Sequence, residues 1–369
     1  MDYETPQFFR VMQYASRADR DVVDMVSGNP DWESPEALRE GLHAYADSDP
    51  DAFQYPPSVG IRELREEIAT RRGVDTGQVL ITNGAGEANH LAMTEGLETK
   101  PGSEILLTDP VYPYYAGRAN MLGAEISFVP ASESGHLDPA AVRDHASEET
   151  AVIVVNSPNN PLGVTYDGET IRELVGIAEE YDALLVSDEV YDHFDYSGRF
   201  ESALAVDSEH RLVTNSFSKS MAITGWRVGY AVFPDADGDL LDRARTRHML
   251  TNVTGSRPVQ EAVLHALRNT DPSYYEQSRD RLRERIGTFT DALDDAGAEY
   301  TDPEGAFYVM ARFPDFAGSL ENVERLIDEA GVAGMPGEAF SDSRAEWIRF
   351  ALVTPRVEAA ADRLAAYFE

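Results

Sequence analysis

Four clusters of polar and glycine residues stand out because each holds groups able to do chemistry: TNGAGEA at 82–88, NSPNNPLG at 156–163, SDEVY at 187–191 and NSFSKSMAITGWRVGY at 215–230. The last contains Lys219, one of only two lysines; the other is Lys100, so 29 of the 31 basic residues are arginine. A deprotonated lysine amine attacks carbonyl carbons and can carry a proton. Here that lysine stands beside Ser216, Ser218 and Ser220, not in a charged run, although a solvated surface amine is the plain alternative. Gly84, Ala85 and Gly86 open a helical pattern, where converging backbone N–H groups make an anion site. A glycine pair alone would mean only a tight turn. Asp188 follows the apolar run ALLVS and, taken by itself, would be a capping carboxylate. Arg227 and Arg349 bring guanidinium forks suited to phosphate or carboxylate, with simple ion pairing as the alternative.

Such groups need elements to hold them. Short apolar runs recur at VLIT 79–82, ILLT 105–108, AVIVV 151–155, ALLVS 183–187 and RLVT 211–214, and read as buried strands. Helical patterns at Gly86–Leu97 and Gly168–Glu180 alternate with them, which predicts a largely parallel sheet covered on both faces. Ligands in such sheets gather beyond the strand C-termini, where the four clusters fall. After Arg257 the pattern changes to long charged helices, notably Ser273–Leu293, and then to short strands around Ala306–Arg312 and Glu346–Leu352. The expected organisation is an N-terminal segment at 1–40 packing with a small lobe, a large lobe at 41–270 and the small C-terminal lobe at 271–369.

Together and in this order, the four clusters resemble fold-type I pyridoxal-phosphate enzymes of the class I/II aminotransferase family, and the likeness spans essentially the whole chain. It implies an α/β fold with a mostly parallel seven-stranded sheet in the large domain and a smaller α+β domain. SFSK with the downstream GWR is similar to the cofactor-lysine motif, which makes Lys219 the residue that forms a Schiff base with pyridoxal 5'-phosphate. Ser216 and Arg227 then match phosphate contacts, and Ala85 and Gly86 add backbone donors. The family often has a hydroxyl residue where Gly86 stands. Asp188 would face the ring nitrogen, Tyr191 and Asn160 the ring's phenolic oxygen, and Tyr112 in DPVYPYY would stack on the ring, although core packing explains that tyrosine equally well. Leu162 departs from the usual threonine of NPTG. Arg349 in WIRFA matches the arginine for the substrate α-carboxylate, with Gly28 in SGNPD beside it. Tyr55 in YPPSVGIRELR matches a tyrosine that crosses a two-fold interface to the neighbouring subunit's phosphate, or else it orders its own loop.

The resemblance thus implies a homodimeric aminotransferase moving an amino group between an L-amino acid and a 2-oxo acid. Lyases and decarboxylases of the same fold share these parts and form the alternative. The GWR motif is more like the aspartate, alanine and aromatic groups. Composition narrows the field further. A formal net charge of −35 repels nucleic acid and anionic membranes, and the Lys-poor, acidic make-up resembles proteins of salt-loving archaea. With no cysteine, disulfides and thiolate sites are excluded, and no metal is expected. The first residues, MDYETPQFFR, lack a basic segment leading into an apolar one, so the expected location is the cytoplasm.

Overall fold

The computed structural model describes residues 7–236 and 238–368. Each apolar run named above is a strand, and with two further strands they make one seven-stranded sheet: β2 Val79–Thr82, β3 Glu104–Asp109, β4 Glu125–Pro130, β5 Thr150–Asn156, β6 Leu184–Asp188, β7 Arg211–Ser216 and β8 Gly229–Val232, in the order β2-β8-β7-β6-β5-β3-β4. Only β8 runs antiparallel to its neighbours. All seven residues of β5 are buried, as a central strand covered by helices on both faces requires. Helix Ala85–Thr99 covers one face, and helix Gly168–Glu180 has the bounds expected of it. The parallel register sets Asn156 beside Asp188 and Asp188 beside Thr214. One rim of the sheet therefore gathers the ends of β5, β6 and β7.

Two strands of this sheet fall outside the apolar runs. The edge strand β4 has only Val129 buried, so its apolar signal is weak, and the four-residue β8 begins inside the glycine-containing cluster at 215–230 with little length of its own. The second is structurally important. Its Gly229 lies beside both Ser216 and Thr82, and a Cβ there would sit 2.6 Å from the Asn215 carbonyl oxygen and 2.7 Å from the Gly84 carbonyl carbon. Glycine at this position lets the Gly84 turn close against the end of β7.

The C-terminal part holds an antiparallel sheet of β9 Glu299–Tyr300, β10 Tyr308–Arg312, β12 Met335–Pro336 and β13 Ile348–Ala351, ordered β12-β13-β10-β9. Helices Ser273–Asp295 and Val357–Phe368 pack together there. In a separate pairing, β1 Val23–Asp24 near the N-terminus runs parallel to β11 Val332–Ala333. That pairing carries the chain just beyond β1, including Gly28, across to Arg349 of β13.

Candidate active site

A cavity of about 730 Å³ opens where the sheet's rim faces the C-terminal strands. Gly28, Ala85, Gly86, Tyr112, Asn160, Asp188, Tyr191, Ser216, Lys219, Arg227 and Arg349 all line it. Tyr55 does not: it is 81% exposed on the loop before Gly60.

Lys219 sits on the turn that follows β7, where Ala222 N–H bonds the Lys219 carbonyl and Ile223 N–H that of Ser218. Its Nζ donates to the Gly28 carbonyl oxygen at 2.5 Å and lies 5.8 Å from the Phe307 ring centre. Burial, with the positive charges of Arg349 and Arg227, holds this amine down to about 8, while Asp188 pulls weakly the other way. An amine so placed is deprotonated far more often near neutrality than a solvated lysine.

Asp188, the last residue of β6, is 4% exposed. Its Oδ2 accepts from Asn89 Nδ2 and from Tyr115 Oη, each at 2.6 Å, and its Oδ1 accepts from the Val190 N–H at 3.1 Å. Asn89 is itself fixed by Thr214 Oγ1, which donates to its Oδ1 at 2.6 Å. Burial raises the Asp188 pKa, and these hydrogen bonds offset part of that rise. No cation pairs with this carboxylate among the described residues, so a protonated ring nitrogen would meet an unneutralised partner.

One side of the cavity is built for an anion. Gly84 adopts φ 87° as the N-cap of helix Ala85–Thr99, and a Cβ on it would stand 2.4 Å from Arg227 Nη2. Arg227, with φ 56°, is held by donation from Nη1 to the Thr224 carbonyl at 2.8 Å and from Nη2 to the Asn83 carbonyl at 3.1 Å. Ser216 and Ser218 line the cavity as well. Gly86 offers only its backbone there.

A second guanidinium, that of Arg349, also lines the cavity. Arg349 is 4% exposed, donates through Nη1 to Asn160 Oδ1 at 3.1 Å and through Nη2 to the Val26 carbonyl, and lies over the Tyr308 ring at 4.4 Å. Its Nε is buried with no partner among the described residues. Burial lowers its pKa, and a carboxylate taken in a two-point grip would supply the missing acceptor. Gly28 must lack a side chain, because a Cβ there would be 2.1 Å from Tyr308 Oη. Tyr308 in turn shares a 3.1 Å hydrogen bond with Tyr191. Asn160 is oriented by Asn156, whose Oδ1 accepts from the Asn160 N–H at 2.8 Å. Leu162 is buried in the apolar core, so the missing threonine leaves Asn160 in its place.

Several cavity residues were not singled out in the sequence: Asn89, Tyr115, Arg118 and Tyr308. Asn89 gave a signal in principle, as a polar residue on the buried face of an expected helix. Tyr115 and Tyr308 are buried aromatics with no motif of their own to mark them.

The residues fit pyridoxal phosphate: an amine whose pKa is held down to about 8, a buried uncompensated carboxylate and an anion cradle around one cavity. The sequence model of the family "Aminotransferase class I and II" matches residues 20–364. The probable aspartate aminotransferase of Methanocaldococcus jannaschii is 30% identical over 91% of this chain and 90% of its own length. The aspartate/prephenate aminotransferase of Thermus thermophilus is 33% identical over 87% and 84%. Among solved structures, a double mutant of Thermus thermophilus aspartate aminotransferase is similar with a TM-score of 0.91 at 30% identity, covering 99% of this chain and 97% of that one. The aromatic aminotransferase of Pyrococcus horikoshii gives 0.86 at 27% identity over 97% and 98%. These likenesses lend no support to the lyase or decarboxylase alternative. Sequence and fold agree, and the chain belongs to the class I and II aminotransferases, pyridoxal-phosphate enzymes that transfer amino groups.

Proposed function

We propose that Lys219 holds pyridoxal phosphate in this cavity and that the enzyme transfers the amino group of an L-amino acid of the aspartate, alanine or aromatic groups, with aspartate the first donor to test. The observation that carries the assignment is the Lys219 amine, brought to 2.5 Å from Gly28 in the same cavity as Asp188 and Arg349. Aspartate is favoured because relatives from Methanocaldococcus jannaschii and Thermotoga maritima bear the aspartate name.

When bound, pyridoxal phosphate supplies a carbonyl that trades places with an amino group and a ring that delocalises an electron pair. The chain's own residues do the rest. Asp188 keeps a proton on the ring nitrogen. Ser216, Arg227 and the N–H groups of Ala85 and Gly86 would hold the phosphate, and Tyr112 would stack on the ring. Arg349 grips the α-carboxylate, and Asn160 keeps it aimed, because its Oδ1 already accepts from Arg349 while its Nδ2 remains to donate to the ring's phenolic oxygen. Tyr191 donates to that same oxygen. Lys219, its amine in the same cavity, would serve as the base that takes the substrate's α-proton and the acid that gives it back. Hydrolysis by one water would release the first product as a 2-oxo acid and leave the amino group behind, and a second 2-oxo acid would collect that amino group, with loss of the water, in the reverse sequence.

This reading includes a homodimer in which Tyr55 reaches the partner's phosphate. In support, segments near 54–57 and 254–257 lie together, with Thr254 Oγ1 donating to the Pro57 carbonyl at 3.1 Å, and Phe53, Tyr55, Leu250 and Val253 are left exposed beside them. It also places the enzyme in the cytoplasm of a salt-loving cell, supported by the −35 net charge. Among the described residues, no helix is long and apolar enough to cross a membrane.

A panel of amino donors against 2-oxoglutarate and pyruvate in concentrated salt tests the assignment. Spectral conversion of the cofactor by aspartate alone, reversed by 2-oxoglutarate, is the expected result. Donors that release ammonia without converting the cofactor would replace transfer by elimination.

A further inference from the structure

Arg118 lines the cavity, yet none of the roles above uses it. It is half-buried on helix Pro113–Leu122, where Nη1 donates to the Tyr114 carbonyl at 3.2 Å. No carboxylate pairs with it among the described residues, in a chain with 66 acidic side chains. Its charge reaches inward, acting on the Tyr112 hydroxyl and the Asp188 carboxylate.

The other end of its guanidinium stands at the opening of helix Ala85–Thr99. A Cβ on Gly86 would lie 3.0 Å from Arg118 Nη2 and would meet nothing else within 4 Å. Arg227 flanks the same turn two residues earlier, at Gly84. Two guanidiniums and the positive end of a helix are thus gathered in one place, where each raises the energy of the others until an anion sits among them. Were position 86 to carry a larger side chain, Arg118 would have to move away.

We propose that Arg118 binds an oxyanion in the cavity, working with Arg227 across the bare Gly84–Gly86 turn. The proposal rests on the cofactor reading above, and two groups share the required chemistry: the cofactor's phosphate and a second carboxylate on the substrate. In either case a planar fork supplies what the side chain of Gly86 cannot.

Arg118→Met in the full-length protein separates the two sources. In the first arm, cofactor-free protein is titrated with pyridoxal phosphate and with pyridoxal, followed by absorbance. If Arg118 serves the phosphate, affinity for the phosphorylated form falls about tenfold while that for pyridoxal holds, and adding Gly86→Ser recovers part of the loss. In the second arm, maleate and acetate are bound to the loaded enzyme and read by the cofactor spectrum. If Arg118 serves a substrate carboxylate, maleate weakens about tenfold and acetate does not. A selective loss in either arm supports the proposal and assigns its source. Unchanged binding in both arms, or an equal loss for pyridoxal and acetate as well, overturns it. Arg227→Lys, run in parallel, separates the two failures: if that variant also keeps full affinity for the phosphorylated form, the placement of the cofactor itself is wrong.

Discussion

Helix Ala85–Thr99 meets arginines at both ends, and their surroundings are opposite. Toward its C-terminus, Arg243 and Arg247 of helix Asp239–Asn252 both bond the fully buried Glu95, through Nε at 3.0 and 2.8 Å, and both also reach Glu98. At its N-terminus, Arg227 and Arg118 have only backbone carbonyls as hydrogen-bond acceptors among the described residues. Arg65 and Arg344, away from the cavity, also bond only backbone carbonyls among the described residues, so what sets Arg227 and Arg118 apart is that they lack a carboxylate while lining the cavity at a helix N-terminus, where a ligand's negative charge can reach them. Arg349, with its unpartnered Nε, belongs with the second group.

Each prediction breaks or sharpens that contrast. The largest effect is expected at Asp188, the one buried carboxylate facing the cavity's cations: Asp188→Asn should cut the turnover rate by about 10³-fold while the phosphate grip still retains cofactor. Turnover within a factor of a few of the parent would make Asp188 a structural residue.

Next comes Arg349→Lys, which keeps the charge and loses the fork. A fall in kcat/KM of about 10- to 100-fold for every amino acid tested is expected, with KM raised. Unaltered kinetics would move the α-carboxylate site elsewhere.

A third effect follows from the unpaired arginines themselves, which help hold the Lys219 amine down to about 8. The protonated amine is no nucleophile, so cofactor capture by the empty protein should rise about tenfold per pH unit below 8 and level off above it. The sign for stability agrees. The unfolded lysine titrates near 10.4, so between about pH 8 and 10 the unfolded chain binds the extra proton, and this group's contribution to stability grows as pH rises. Stopped-flow absorbance from pH 6 to 10 checks the capture rate, and a profile still climbing steeply at pH 10 would show an unperturbed amine.

The smallest effect on function belongs to the paired end. Glu95→Gln should cost about 1–3 kcal/mol of stability, because a buried charge-assisted contact is lost while Arg243 and Arg247 can still turn to Glu98 and water. Cofactor affinity should not change. A variant that melts earlier and also loses cofactor would mean that the two ends of the helix are coupled.

The contrast also explains what the sequence made legible. Strand interiors such as AVIVV and loop clusters such as SFSK carry their signal in consecutive residues, so the sheet and the cavity's loop residues could be read directly. Arg118 and Tyr308 gave no such signal, because their importance comes from facing Gly86 and Gly28, residues distant in the chain. Gly86 hinted at a missing side chain, but only the folded helix shows that a guanidinium stands in front of it. The edge strand β4 escaped notice for a related reason, since an edge exposed to water needs little apolar patterning.

Reductive trapping is the most direct test of the claim that Lys219 holds the cofactor. The chain has only two lysines, and Lys100 is occupied at the surface with Asp182 at 2.9 Å. Loaded enzyme would be treated with borohydride, digested and read by mass spectrometry. The account predicts a reduced pyridoxyl phosphate adduct on the peptide containing Lys219 and none on the peptide containing Lys100. An adduct confined to Lys100, or no adduct on a fully loaded and active enzyme, would contradict it.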